Sequence, residues 1–203
     1  MTKLYYTPTS CGAASFIAAF TIGLNLETET VDLRTHRTAS GADFYSINPK
    51  GNVPALILDD GTVLNENSAV LQWIADQAPG KIAPINGTTE RYLVQNYLSY
   101  ISSEVHGKIG PLFNPTAPQE VKDHSVSAVN SKFAYLDKVL QGRRFLVGNS
   151  FTIADSYLYI VLSWHKYVGL DLTPYASVKS YFEGIASLEN VVKAHARITR
   201  FRN

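Results

Sequence analysis

The sequence predicts two domains of different class, α/β + all-α. An N-terminal β-α-β-(α)-β-β-α domain at residues 1–80 is followed by a linker at 81–88 and a C-terminal helical bundle at 89–203. Three observations carry this reading. Strand-period and helix-period hydrophobic patterns alternate through the first third of the chain. The run Ala78–Thr88 (APGKIAPINGT) holds two prolines and two glycines with little periodicity. Beyond that run no strand pattern survives.

Lys3–Thr7 (KLYYT) is short, aromatic and ended by Pro8, as a strand is. From Cys11 to Gly23, small residues mix with Phe16, Ile17, Phe20 and Ile22 at near-helical spacing, and Gly23 stands where a helix-ending glycine belongs. Thr28–Leu33 alternates polar and apolar at the strand period. Val53–Leu58 and Thr62–Leu64 flank Asp59-Asp60-Gly61, a hairpin signal. Asn67–Gln77 aligns Val70, Leu71, Ile74 and Ala75 on one helical stripe. After the linker, Glu90–Ile109, Gln119–Leu140, Ile153–Val168, Pro174–Ala186 and Leu188–Ile198 read as helices. Ile153–Val168 is apolar nearly all round, which predicts the central buried helix of the second domain. Thr152 with Asp155 three positions later forms a capping-box variant, a role in folding rather than chemistry.

Composition narrows the function. Of the 203 residues 45% are hydrophobic, which excludes global disorder. Charged residues make up 17%, below the roughly 25% of an average soluble protein, and 12 Tyr and 9 Phe suit the extra interfacial surface of an oligomer. The 18 basic and 17 acidic residues nearly cancel, so net charge directs the chain toward neither nucleic acid nor an anionic membrane. No apolar run approaches the ~20 residues of a membrane span and no signal-peptide core is present, so the expected location is cytoplasmic. Neither a dinucleotide fingerprint nor a P-loop occurs. Five histidines are scattered and Cys11 is the single cysteine, so no metal site and no disulfide framework are expected. Asn86-Gly87-Thr88 matches a glycosylation sequon, which without a secretory signal reflects linker composition.

Three groups of residues could carry chemistry. Cys11 follows a strand and a Pro-containing turn at the point where the first helix begins. A lone cysteine is more often a buried small hydrophobe. At a helix start, however, free N–H groups and the helix dipole stabilise a thiolate, which predicts an acidic thiol. Ala14 occupies the position three residues on, so dithiol exchange is unavailable and an external thiol is required. Val53-Pro54 opens an apolar strand: a trans proline at a strand entrance, or a cis bond turning the Val53 backbone toward an extended ligand. Glu66-Asn67-Ser68 opens a helix, as a simple cap or as a carboxylate for an amine beside N–H groups for a carboxylate. Together these describe a site for a small thiol peptide with a free α-amino-acid end.

The segments LYYTPTSCGAAS, NPKGNVPALILDDGTVLNENSAVLQWIAD, EVHGKIGPLF and FTIADSYLYIVLSW resemble cytosolic glutathione transferases, most closely the bacterial beta class, essentially end to end. The resemblance implies a thioredoxin-like glutathione-binding domain before the helical one, conjugation of the glutathione thiol to small hydrophobic electrophiles, a role in detoxification, and a homodimer. It implies glutathione as co-substrate with no further cofactor. Cys11 matches the cysteine that contacts the glutathione sulfur and can form a mixed disulfide with it, and His106 the histidine beside that thiol. Val53 matches the residue whose backbone pairs with the cysteinyl unit, Pro54 the cis-proline, and Glu66 and Asn67 the pair holding the γ-glutamyl end. Tyr6, His36 and Ser99 complete the implied glutathione-binding set. The sequence departs from the family pattern in four places. Gly107 replaces the lysine after the histidine, with Lys108 one position later. His36, flanked by Arg34 and Arg37, takes the basic position after the second strand. Ser99 stands for an asparagine, and Ser10 adds a hydroxyl that competes for the sulfur-activating role. Two other readings remain: a glutathione-dependent thiol–disulfide oxidoreductase or peroxidase using Cys11, and a non-catalytic glutathione- or ligand-binding protein.

Overall fold

The computed structural model describes residues 1–200, with side chains described through Ile198. The chain divides into two compact units, Met1–Ile85 together with the closing helix from Glu189, and Asn86–Leu188.

In the first unit, β1 (Lys3–Tyr6), α1 (Gly12–Ile22), β2 (Glu27–Asp32) and β3 (Arg37–Thr38) are followed by a 3-10 turn (Phe44–Ser46), β4 (Ala55–Ile57), β5 (Val63–Leu64) and α2 (Asn67–Asp76). The five strands are ordered β3-β2-β1-β4-β5. β2 runs parallel to β1, as a strand returning after a helix must, whereas β4 runs antiparallel to β1 and makes the expected hairpin with β5. Leu4 faces Leu56 across the β1–β4 pair, and both are fully buried. The helix slot expected between the two halves holds only the 3-10 turn. The two-residue β3 has no counterpart among the expected strands, since two residues carry no period.

α1 is buried from Gly12 through Ala19 and ends at Gly23 (φ 71°), whose N–H bonds the Phe20 carbonyl. It packs against α2 and against the closing helix α9 (Glu189–Arg200), where Asn190 Nδ2 donates to Thr21 Oγ1 at 2.9 Å. The sequence places residues 189–203 with the helical domain, whereas the helix from Glu189 groups with the first unit. Periodicity shows that a helix exists but not which surface it covers.

The second unit runs through α3 (Thr89–Tyr100), a π-helical segment (Ile101–His106), α4 (Gly107–Ile109) and a 3-10 turn (Gly110–Phe113). It continues with α5 (Gln119–Leu140), α6 (Ile153–Ser163), α7 (His165–Val168) and α8 (Ala176–Ala186). The helix expected over Glu90–Ile109 is thus one helical run that widens midway, and the Ile153–Val168 helix is interrupted at Trp164. α6 is buried from Ile153 through Leu162, as its all-round apolar sequence requires.

Asp155 organises this unit. It is fully buried. Its Oδ2 accepts from the Thr152 backbone N–H and hydroxyl, and its Oδ1 from the Leu146 N–H and the Tyr181 hydroxyl, each at 2.8 Å. Burial pushes its carboxyl up while these donors oppose the shift. One side chain therefore joins the loop before α6, the α6 start and α8. Asp155→Ala leaves buried donors unpaired and is expected to cost about 3 kcal/mol or more in urea denaturation. An unchanged midpoint would show the network to be dispensable.

A charge cluster ties β1 to β2, with Lys3 Nζ 2.6 Å from Glu27 and 2.9 Å from Glu29. Burial raises the Glu29 carboxyl, but bonds from Thr38, Lys3 and Ser40 outweigh it and hold the group at about 2. A carboxyl depressed on folding stabilises the protein above its unfolded value of roughly 4.3, and that contribution disappears as pH falls toward 2. Glu29→Gln is expected to flatten this stretch of the acid-unfolding profile. A profile identical to wild type would refute the assignment.

Candidate active site

The turn between β1 and α1 is fixed by its own hydroxyls. Thr7 Oγ1 donates to the Val31 carbonyl at 2.6 Å, anchoring the turn to β2. Ser10 Oγ donates to the Thr7 carbonyl at 2.9 Å and accepts from the Gly12 N–H at 3.2 Å. The Ser10 hydroxyl thus serves the helix start, and its proton is already committed. Cys11 follows as the N-cap residue, with φ −58° and ψ −25°. Gly12 passes close to its neighbours: a Cβ there would lie 3.0 Å from Tyr6 Cβ and 3.3 Å from Pro54 Cβ.

That approach sets Cys11 against the start of β4. Its Sγ lies 3.4 Å from the Val53 carbonyl oxygen, and Val53-Pro54 is cis. Cys11 is only 7% exposed. Burial pushes its thiol up to about 12, outweighing the lowering by the Cys11 and Gly12 N–H groups, and the Glu66 charge acts in the same upward sense. Desolvation thus opposes the acidic thiol expected from the helix start. The helix supplies its N–H groups, but a sequence pattern does not reveal how completely the sulfur is desolvated. As a thiol, Cys11 is placed to donate to the Val53 carbonyl.

Glu66 precedes α2 with extended backbone (φ −114°, ψ 125°), and its side chain makes no cap bond. It instead reaches Lys50, Oε1 to Nζ 2.7 Å, in a solvent-exposed pair that sequence reasoning missed. Asn67, the first residue of α2, is 5% exposed, and its Oδ1 accepts from Ser15 Oγ at 2.8 Å. His36 has a left-handed backbone (φ 50°), and its ring lies 4.4 Å from that of Tyr45. Gly51 closes on the same pair: a Cβ would fall 2.5 Å from Tyr45 Cε1 and 3.2 Å from His36 Cε1. Tyr6 stacks on Phe16 at 5.2 Å, and burial pushes its hydroxyl up to about 12. Among the described residues, the α/β unit's buried side-chain polar atoms without a partner are Tyr6 Oη, His36 Nδ1 and Asn67 Nδ2. All three belong to residues expected in the binding set.

The helical unit carries the remaining expected residues. His106 ends the π-helical segment, with Nδ1 2.8 Å from the Tyr157 hydroxyl and its ring edge-on to Trp164 at 4.7 Å. Phe113 meets Trp164 edge-on at 5.5 Å. Sequence reasoning missed Tyr157 and Trp164, which read as ordinary members of an apolar helix. Ser99 and Lys108 are exposed, and the Ser99 carbonyl accepts from Ser103 Oγ at 2.9 Å. Among the described residues no three His, Cys, Asp or Glu side chains group to hold a metal ion, and no helix is long and apolar enough to cross a membrane.

Residues 90–189 match the family described as Glutathione S-transferase, C-terminal domain, and residues 15–77 match Glutathione S-transferase, N-terminal domain. The chain is 37% identical to glutathione S-transferase GstA of Escherichia coli O157:H7, over 95% of this chain and 96% of that one. Among solved structures it resembles the bacterial GST BphK, with TM-score 0.94 and 41% identity over 97% of this chain and 99% of that one. It also resembles a sphingomonad glutathione S-transferase complexed with glutathione, with TM-score 0.92 and 40% identity over 97% and 98% of the two chains. A bacterial beta class glutathione S-transferase of Sphingomonas chungbukensis gives TM-score 0.91 and 38% identity over 97% and 98%.

A buried neutral thiol reacts slowly. Cys11 in the native protein is expected to be alkylated by iodoacetamide at pH 7–8 far more slowly than a free cysteine of pKa ~8.5, as followed by intact mass. Rapid alkylation at neutral pH would restore the acidic-thiol reading.

Proposed function

Because the chain belongs to the glutathione S-transferase family, we propose that it conjugates the thiol of glutathione to small hydrophobic electrophiles. One observation carries the binding half of this reading: the partnerless buried polar atoms of the α/β unit belong to Tyr6, His36 and Asn67. Buried polar groups in a folded protein are normally paired, so the three of this unit, each in a residue of the implied binding set, suit a polar ligand. In this proposal the Val53 backbone pairs with the cysteinyl unit and the start of α2 holds the γ-glutamyl carboxylate. Glu66 takes the ligand ammonium and His36 the glycyl end.

The chemistry follows from the state of Cys11. A thiol pushed up to about 12 is a donor rather than a nucleophile. It can give its hydrogen bond to the glutathione sulfur in place of the Val53 carbonyl and so favour the ligand's thiolate. The ligand's own proton leaves to solvent. The thiolate pair forms the carbon–sulfur bond as the leaving group departs with its bonding pair. His106 is the further catalytic candidate, and Ser10 ranks behind it because its proton is held by Thr7. A neutral Cys11 favours this reading over mixed-disulfide exchange, which needs a thiolate. A cytoplasmic homodimer serving detoxification, with glutathione as co-substrate and no further cofactor, completes the proposal.

The test begins with retention on immobilised glutathione and turnover of chlorodinitrobenzene. Glu66→Ala removes a charge-assisted hydrogen bond and is expected to raise the glutathione Kd about tenfold or more, while Cys11→Ala leaves it nearly unchanged. An unchanged Kd in Glu66→Ala would reduce that carboxylate to a partner of Lys50. Tight binding without turnover of any electrophile would favour the ligand-binding reading instead.

A further inference from the structure

The link between α1 and α2 has a polar component that packing does not require. Ser15 is fully buried, and its hydroxyl donates to Asn67 Oδ1 at 2.8 Å, across 52 positions of sequence. That bond uses the oxygen of the carboxamide and leaves the nitrogen. Asn67 Nδ2 is buried, in a residue 95% removed from solvent by its 5% exposure, and has no hydrogen-bond partner among the described residues. The contrast with Asp155, whose two oxygens are both bonded twice, shows that this fold can satisfy a buried polar side chain completely. An unpaired buried amide is unfavourable unless something outside the chain completes it.

Its surroundings say what that would be. Asn67 is the first residue of a ten-residue helix, whose opening N–H groups and dipole favour an anion. The carboxamide nitrogen is a donor as well, so both features ask for a carboxylate. The adjacent Glu66 carboxylate, uncommitted to the cap, suits an ammonium. A carboxylate and an ammonium side by side are the free end of an α-amino acid.

We propose that Ser15 is a positioning residue: its hydroxyl pins the Asn67 carboxamide so that Nδ2 faces, and donates to, the carboxylate of the ligand's free amino-acid end. Without the hydroxyl the carboxamide can turn over and present Oδ1 to the same carboxylate, replacing a donor with a repelling acceptor. The inference rests on the glutathione reading above but concerns a fully buried residue of α1.

Calorimetric titration with two probes tests it. The first is S-methylglutathione. The second is the same peptide with γ-aminobutyryl in place of γ-glutamyl, which keeps the ammonium and lacks the carboxylate. Ser15→Ala is expected to weaken the first about fivefold to tenfold and to leave the second unchanged, and Ser15→Thr to restore the first. In an Asn67→Ala background, Ser15→Ala should have no further effect, because the two act as a unit. Asn67→Asp, which suits a helix start and keeps the Ser15 bond, should weaken the first probe by more than about tenfold. Unchanged binding in Ser15→Ala, or equal weakening of both probes, would overturn the inference and leave the glutathione reading intact. Wild-type protein that binds neither probe would overturn both.

Discussion

Where α1 begins, the chain passes close to Tyr6 and Pro54: a Cβ on Gly12 would sit 3.0 Å from one and 3.3 Å from the other, tighter than most side chains pack. Close approach here brings the helix start, the end of β1 and the start of β4 to one place. The Cys11 sulfur, 3.4 Å from the Val53 carbonyl, owes its position to that approach. Its burial pushes the thiol up, against the helix-start N–H groups that lower it.

Buried polar side chains here are of two kinds that do not divide by unit, since Tyr100 Oη of the helical unit is also without a hydrogen-bond partner among the described residues. In the helical unit, Asp155 is surrounded by donors from three parts of the chain and acts as an internal anchor. In the α/β unit, Tyr6, His36 and Asn67 each keep a buried polar atom without a partner. The first arrangement stabilises the fold without outside help. The second leaves stability that, under the proposed function, a ligand returns on binding.

Local sequence patterns carried the element order well. The hairpin around Asp59-Asp60-Gly61, the helix ended by Gly23 and the capping box at Thr152 and Asp155 were all legible, because each depends on residues within a few positions. What escaped depends on distance or on burial. β3 is too short for a period, and the widening at Ile101–His106 changes hydrogen bonding without changing composition. The Ser15–Asn67 and Lys50–Glu66 bonds join residues far apart in sequence. For Cys11 the location was legible but the sign of the thiol shift was not, since the helix start argues one way and desolvation the other.

Both outer strands of the sheet, β3 and β5, are only two residues long. A long, flat outer strand offers a row of unpaired backbone groups on which another molecule can add itself, the usual seed of ordered aggregates. Here that row is nearly absent on either side. The α/β unit therefore gives a full-length foreign strand almost nothing to grip, which favours colloidal stability in a crowded solution.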